Sequence, residues 1–182
     1  MSILFVADVE TTGLNPMTAG IVEVGCVAIR GGHVVSEWSS LVWPGREYLG
    51  PENRRALYIS GITIEELLDA PEPEFVRDCL DAWMQSITQS NEAPPVTSYN
   101  LPFDRAFLMA HLGVEESTFP WAPCIMAQAR AAMAYTGRYG PSLARTCEWL
   151  GIEREEQHRA LADARDAGRV WLKLTERSEV TR

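Results

Sequence analysis

The sequence predicts an α/β sandwich built on a mixed sheet, because strand-like runs fill its first part and helical periodicities then alternate with short strand-like runs. At 182 residues, 46% hydrophobic and 23% charged, the chain can bury one core and is short for two. No repeat, low-complexity tract or linker divides it. The reading is one domain over residues 1–176 and a frayed tail over 177–182.

Ile3-Leu4-Phe5-Val6-Ala7 is an apolar run ending in Asp8, as in a central strand buried on both faces. Gly13, Asn15, Pro16 and Gly20 mark a loop. Residues 21–29 are rich in Val and Ile, Gly31-Gly32 signals a hairpin, and His33 to Trp43 resumes as strand. These three strands form an antiparallel meander. Pro44-Gly45 interrupts it, and Thr63 with Glu66 makes a capping box for a short helix.

Phe75, Val76, Cys79, Leu80, Trp83, Met84 and Ile87 recur at three- and four-residue intervals, the stripe of an amphipathic helix. Val96 to Tyr99 reads as a fourth strand, and Phe103 to Leu112 as a helix opened by Pro102. Cys124-Ile125-Met126 is expected as a fifth strand. Helices follow to about Tyr135, from Ser142 to Leu150, and from His158 to Leu174.

Composition narrows the function classes. No stretch approaches the roughly 18 apolar residues of a membrane span, and the start lacks a signal-peptide pattern, so a cytoplasmic protein is expected. Cys26, Cys79, Cys124 and Cys147 show no zinc-ligand spacing and read as buried reduced thiols. A net charge of −9 argues against a large duplex footprint and leaves a short strand end admissible as substrate.

The chemistry concentrates in five residues. Asp8 and Glu10 are two apart and share one side of a strand, where they repel unless cations lie between them. Carboxylate oxygens are the hard donors that Mg2+ or Mn2+ prefers. Alone, this pair is also compatible with a polar strand terminus. Asp104, His158 and Asp163 complete a set with the composition of a site for two divalent metals. On one ideal helix His158 and Asp163 would diverge by about 140°, so a loop or mobile first turn is required at His158.

Asp8-Val9-Glu10-Thr11-Thr12-Gly13-Leu14, Asn100-Leu101-Pro102-Phe103-Asp104 and His158-Arg159-Ala160-Leu161-Ala162-Asp163 resemble the three exonuclease motifs of the DnaQ-like DEDDh superfamily. The likeness extends over roughly residues 3 to 174 through Ile21 to Gly25, Gly61-Ile62-Thr63 and Ser142-Leu143. It implies a ribonuclease H-like fold, with a mixed five-stranded sheet and helices on both faces. The implied activity is 3′-5′ exonuclease on single-stranded or frayed ends, with DNA favoured over RNA and 5′-monophosphates released.

By the same resemblance Asp8, Glu10 and Asp163 hold two metals, Asp104 completes the set directly or through water, and His158 is the general base. Thr11, Thr12 and Gly13 offer backbone groups to the terminal nucleotide, Leu14 wedges against its base, and Asn100 and Phe103 line the neighbouring pocket. Phe103 is equally readable as core. The implied partners are nucleic acid 3′ ends and a polymerase or repair complex; an inert or proofreading-type module of the same fold is the alternative. Oligomeric state is open.

Two departures bear on nucleotide recognition: Tyr99 stands where many members carry His, and Cys124-Ile125-Met126 replaces an Asp-Thr. Glu23 reads as a structural hydrogen-bond partner. The dispersed Trp38, Trp43, Trp83, Trp121, Trp149 and Trp171 read as core or partly buried. Glu153-Arg154-Glu155-Glu156 reads as a solvated loop, and Arg105, Arg138, Arg145 and Arg159 as candidates for phosphate contacts.

Overall fold

Strand β1 (Ile3–Thr11) alternates its side chains between two apolar layers, and this alternation organises the molecule. A computed structural model describes residues 3–88, 93–115, 119–154 and 158–180, with the side chains of 178–180 excepted. Ile3, Phe5, Ala7 and Val9 face one core, while Leu4 and Val6 face the other. β2 (Ile21–Arg30) and β3 (His33–Leu41) extend the sheet as the expected antiparallel meander, and β4 (Val96–Thr97) pairs parallel with β1. The order is β3-β2-β1-β4, a mixed sheet.

α1 (Arg54–Ser60) and α2 (Ile64–Leu68) cover a small third core around Val22, Leu57, Ile62 and Leu67. α3 (Pro73–Thr88) and α4 (Leu101–Leu112) pack on the Phe5 face. α5 (Ile125–Ala132), α6 (Leu143–Leu150) and α7 (Ala160–Val180) pack on the Val6 face. The capping box at α2 forms as expected: Thr63 Oγ1 accepts from the Glu66 N–H, and the Thr63 N–H donates to the Glu66 carboxylate at 2.8 Å.

Several expectations are corrected. Among the described residues the sheet has four strands, not five: Trp121 makes one parallel bridge to Val96, and Cys124 is the N-cap of α5. Pro120 and Pro123 flank that bridge without amide hydrogens, so the ladder cannot grow. α1 was not foreseen, because a seven-residue helix has little stability of its own and forms here by burying Leu57 in the third core. α7 begins at Ala160 rather than His158 and runs to Val180 rather than to Leu174.

The four cysteines are free, with Cys26 and Cys147 buried and Cys79 and Cys124 half-buried. Trp149 is exposed at 38%, and the other five tryptophans are half-buried. No helix among the described residues is long and apolar enough to cross a membrane.

Candidate active site

β4 is only two residues long, and its shortness creates the site. β1 continues beyond it, so the Val9 N–H has no strand partner and donates instead to the Asp104 carboxylate at 3.2 Å. Ser98, just past β4, donates its hydroxyl to the other Asp104 oxygen at 2.7 Å. Asp104 is 3% exposed. The first turn of α4 thus delivers a buried carboxylate to the carboxyl end of two parallel strands, the usual location of sites in open α/β sheets.

Asp8 and Glu10 continue the Leu4 and Val6 side of β1 and face α7. Gly25 pairs with Asp8 across the sheet, and a Cβ there would lie 2.3 Å from the Ala160 carbonyl carbon and the Leu161 nitrogen. Only glycine admits α7 this close to β2. Glu23 then fixes the helix start: its carboxylate accepts from the Ala160 N–H at 2.9 Å and from the Arg159 guanidinium at 2.8 Å. A buried acid at a helix N-terminus is favoured by the backbone dipole. Glu23 therefore has the structural role expected of it.

His158 lies just before α7 with φ of 60°, in the left-handed region that non-glycine residues rarely enter. The angular conflict between His158 and Asp163 is removed because His158 is not helical. One ligand atom from each of Glu10, His158 and Asp163 falls within 4.8 Å of the others. His158 is exposed, and Glu10 and Asp163 are half-buried.

Charge crowding dominates the electrostatics. Burial, reinforced by Asp104, Asp163, Glu10 and Glu23, holds the Asp8 carboxyl well above the usual range. Burial together with Asp163, Glu23 and Asp104 pushes Glu10 up to about 7. Asp104 is pushed to about 7 by burial, against the lowering effect of the Ser98 and Val9 hydrogen bonds. Asp163 is raised by burial and relieved by Arg154. Acids gathered at this cost are what a divalent cation discharges, and the oxygen donors fit Mg2+ or Mn2+.

Arg154 is the main residue that the sequence reading misplaced. Its guanidinium is not solvated: it binds the Asp163 carboxylate and, at 2.7 Å, that of Asp166, which is 3% exposed. Glu155 and Glu156 lie outside the described residues. Ser98 and Gly25 were also missed as site-building residues. Their partners are distant in sequence, so local pattern carries no signal for them.

Around the cluster, Thr12 Oγ1 accepts from the Gly20 N–H at 3.0 Å and Thr11 Oγ1 donates to the Gly13 carbonyl at 2.7 Å. Both hydroxyls close the loop after β1, leaving Leu14 87% and Met17 80% exposed on it. Asn100 is exposed, and its carbonyl accepts from the Phe103 N–H at 2.9 Å in the first turn of α4. Phe103 is half-buried, 4.9 Å from the Phe107 ring, and packs against the first core. Of the four arginines considered for phosphate contact, Arg159 is engaged by Glu23, and Arg105, Arg138 and Arg145 lie over Trp121, Tyr139 and Tyr135.

The exonuclease family model of RNase T type matches residues 5–170. The chain belongs to this exonuclease family. The PolC-type DNA polymerase III of Thermotoga maritima is 29% identical over 171 residues, covering 94% of this chain and 12% of that protein. The chain thus spans about one-eighth of that relative. Exonuclease X in complex with 5′ overhanging duplex DNA is 25% identical, with a TM-score of 0.72 over 97% of this chain and 93% of the other. The nuclease domain of 3′hExo, a DEDDh member bound to rAMP, superimposes with a TM-score of 0.78 at 16% identity over 97% and 92% of the two chains.

Within the exonuclease family, the Tyr99 departure has a packing explanation. Its ring lies in the second core, 6% exposed, and its hydroxyl meets the Pro141 carbonyl at 2.7 Å and Thr146 Oγ1 at 2.6 Å. Cys124 likewise serves the fold, donating its thiol to the Tyr99 carbonyl at 3.3 Å.

Proposed function

We propose that this chain is a cytoplasmic 3′-5′ exonuclease that removes nucleoside 5′-monophosphates from single-stranded or frayed ends, with DNA preferred. The observation that carries the reading is the convergence of Glu10, His158 and Asp163 within 4.8 Å, beside the half-buried Asp8 and the buried Asp104. In this reading Asp8, Glu10 and Asp163 hold two Mg2+ or Mn2+ ions, with Asp104 completing the set. Such ions supply charge neutralisation at the phosphate and a nucleophile near neutral pH.

The protein groups divide the remaining work. His158, exposed on its left-handed turn, accepts a proton from the attacking water, the task its imidazole is suited to near neutral pH. Asp104 is held by Ser98 and Val9, so its carboxylate stays oriented without solvent. The closed loop from Thr11 to Gly13 presents backbone to the terminal nucleotide. Leu14 supplies an apolar face that tolerates any base, and Asn100 and Phe103 border the same pocket.

Purified protein given a 5′-labelled oligonucleotide with Mg2+ or Mn2+ should produce a descending ladder; internal cuts alone would overturn the assignment. His158→Ala should lower the rate by about 10² to 10⁴-fold, while Mn2+ binding measured by calorimetry persists. An undiminished rate would remove His158 from the mechanism. The likeness to PolC-type polymerases favours association with a polymerase, which co-purification tests. Absence of nuclease activity on every strand type, with retained polymerase binding, would favour an inert module instead.

A further inference from the structure

α1 starts beside the loop that follows Asp8 and Glu10 and contributes no residue to the acidic cluster. At its start, buried Asn53 brings Oδ1 within 3.5 Å of where a Gly13 Cβ would stand, so the helix begins against the loop that carries Leu14. Just beyond its end lies the α2 capping box, whose Glu66 carboxylate is close enough to Arg159 for the guanidinium to lower its pKa, after the larger effect of Thr63. The segment from Asn53 through Glu66, which contains α1, therefore reaches from the Gly13 loop to the neighbourhood of Arg159.

Leu57 and Ser60 face inward, and Arg54, Arg55, Tyr58 and Ile59 face solvent. Tyr58 is 88% exposed and Ile59 50%. Arg54 and Arg55 stand four and three residues before Tyr58, hence beside it on the helix surface. Among the described residues neither guanidinium has an ion-pair partner, in a chain of net charge −9 whose Arg77, Arg154, Arg159, Arg165 and Arg169 are all paired. Two unpaired cations beside an exposed aromatic ring match a single strand, which offers phosphates and base faces in alternation.

We infer that the Arg54-Arg55-Tyr58 face of α1 is a track for the single strand entering the site, with the two arginines on backbone phosphates and Tyr58 stacked on a base. This inference rests on the exonuclease reading and adds a contact upstream of the terminal nucleotide. It also offers an acidic protein a local hold on a polyanion: two cations stand together on one short helix face.

The test measures binding of fluorescein-labelled dT12 by anisotropy across a salt series in Ca2+, alongside hydrolysis of the p-nitrophenyl ester of thymidine 5′-monophosphate in Mn2+. R54Q/R55Q should reduce the slope of log affinity against log salt by about 1.4, the value for two phosphate contacts on a single strand. Tyr58→Ala should weaken dT12 binding about fivefold or more. Ester hydrolysis should stay within twofold of wild type for both variants, because the ester does not reach α1.

An unchanged slope and affinity would overturn the track, and so would an equal loss on the ester and on dT12. The two readings fail separately. Ester hydrolysis with an unaltered binding slope leaves the exonuclease standing and removes the track. Absence of hydrolysis of both ester and oligonucleotide removes the exonuclease, and the binding slope still decides whether α1 contacts the strand.

Discussion

Replacing Gly25 with alanine tests whether the site depends on the close approach of α7 to β2. The added Cβ would stand 2.3 Å from backbone atoms of Ala160 and Leu161, where ordinary contact begins at 3.4 Å. The obstacle is backbone, so no side-chain rotation relieves it, and the start of α7 must retreat by about 1 Å. Overpacking of this kind costs about 1 to 3 kcal/mol. For a chain of this length that lowers Tm by between about 2 and 12 °C. The same retreat moves Asp163 and His158 away from Asp8 and Glu10, and a misplacement of about 1 Å costs about 10²-fold in rate. The assay pairs thermal unfolding in chelator with exonuclease rate and calorimetric Mn2+ affinity at a temperature well below the melt. A Tm within about 1 °C of wild type together with a rate within twofold would refute the reasoning, because α7 would then have room that the geometry denies it.

Three further outcomes follow from the site. Glu10 is raised from 4.5 to about 7, and Asp104 is raised to about 7 as well. The folded state therefore holds these protons more tightly than the unfolded chain. The resulting stabilisation is complete below pH of about 4 and is lost as pH rises through about 7. In chelator, Tm should accordingly be higher at pH 5 than at pH 8, with Mn2+ restoring it at pH 8; a rising Tm and no response to Mn2+ would contradict the crowding. Arg154→Gln removes the nearer of the two cations on buried Asp166, leaving Arg169 at 3.5 Å, and should cost about 1.5 to 3 kcal/mol in urea unfolding; a loss under about 0.5 kcal/mol would show that the pair contributes little. Tyr99→Phe should cost about 1 kcal/mol through its lost hydrogen bonds and leave kcat within twofold; a large activity loss at unchanged Tm would place Tyr99 in nucleotide recognition instead.

Much of the fold was legible because its signals are local. The hairpin at Gly31-Gly32 adopts positive φ at both residues, the Thr63 capping box closes, and Ser142 caps α6 by accepting from the Arg145 N–H, each within a few residues of chain. The errors occur where a neighbour distant in sequence decides. Cys124-Ile125-Met126 has strand-like composition, yet flanking prolines and the hydrogen bonds of Met126 and Ile125 to Tyr99 and Ser98 draw it into the start of α5. Arg154 sits in a run of charges that reads as solvent-facing, and only the packing of its loop on α7 brings it to Asp163 and Asp166.

By itself the sequence determined which chemistry is available: the acids and the histidine, their order, the same-side placement of Asp8 and Glu10, and the need for His158 to lie outside a helix. These follow from residue type and from the periods of strand and helix, which are local properties. Tertiary structure alone decided the division of labour. Asp104 and Glu23 are both buried acids, but the end of β4 leaves Val9 free to hold the first beside Asp8, and the contact at Gly25 puts the start of α7 over the second. Those roles depend on pairings across 95 and 137 residues, and no spacing within the chain encodes which partners meet.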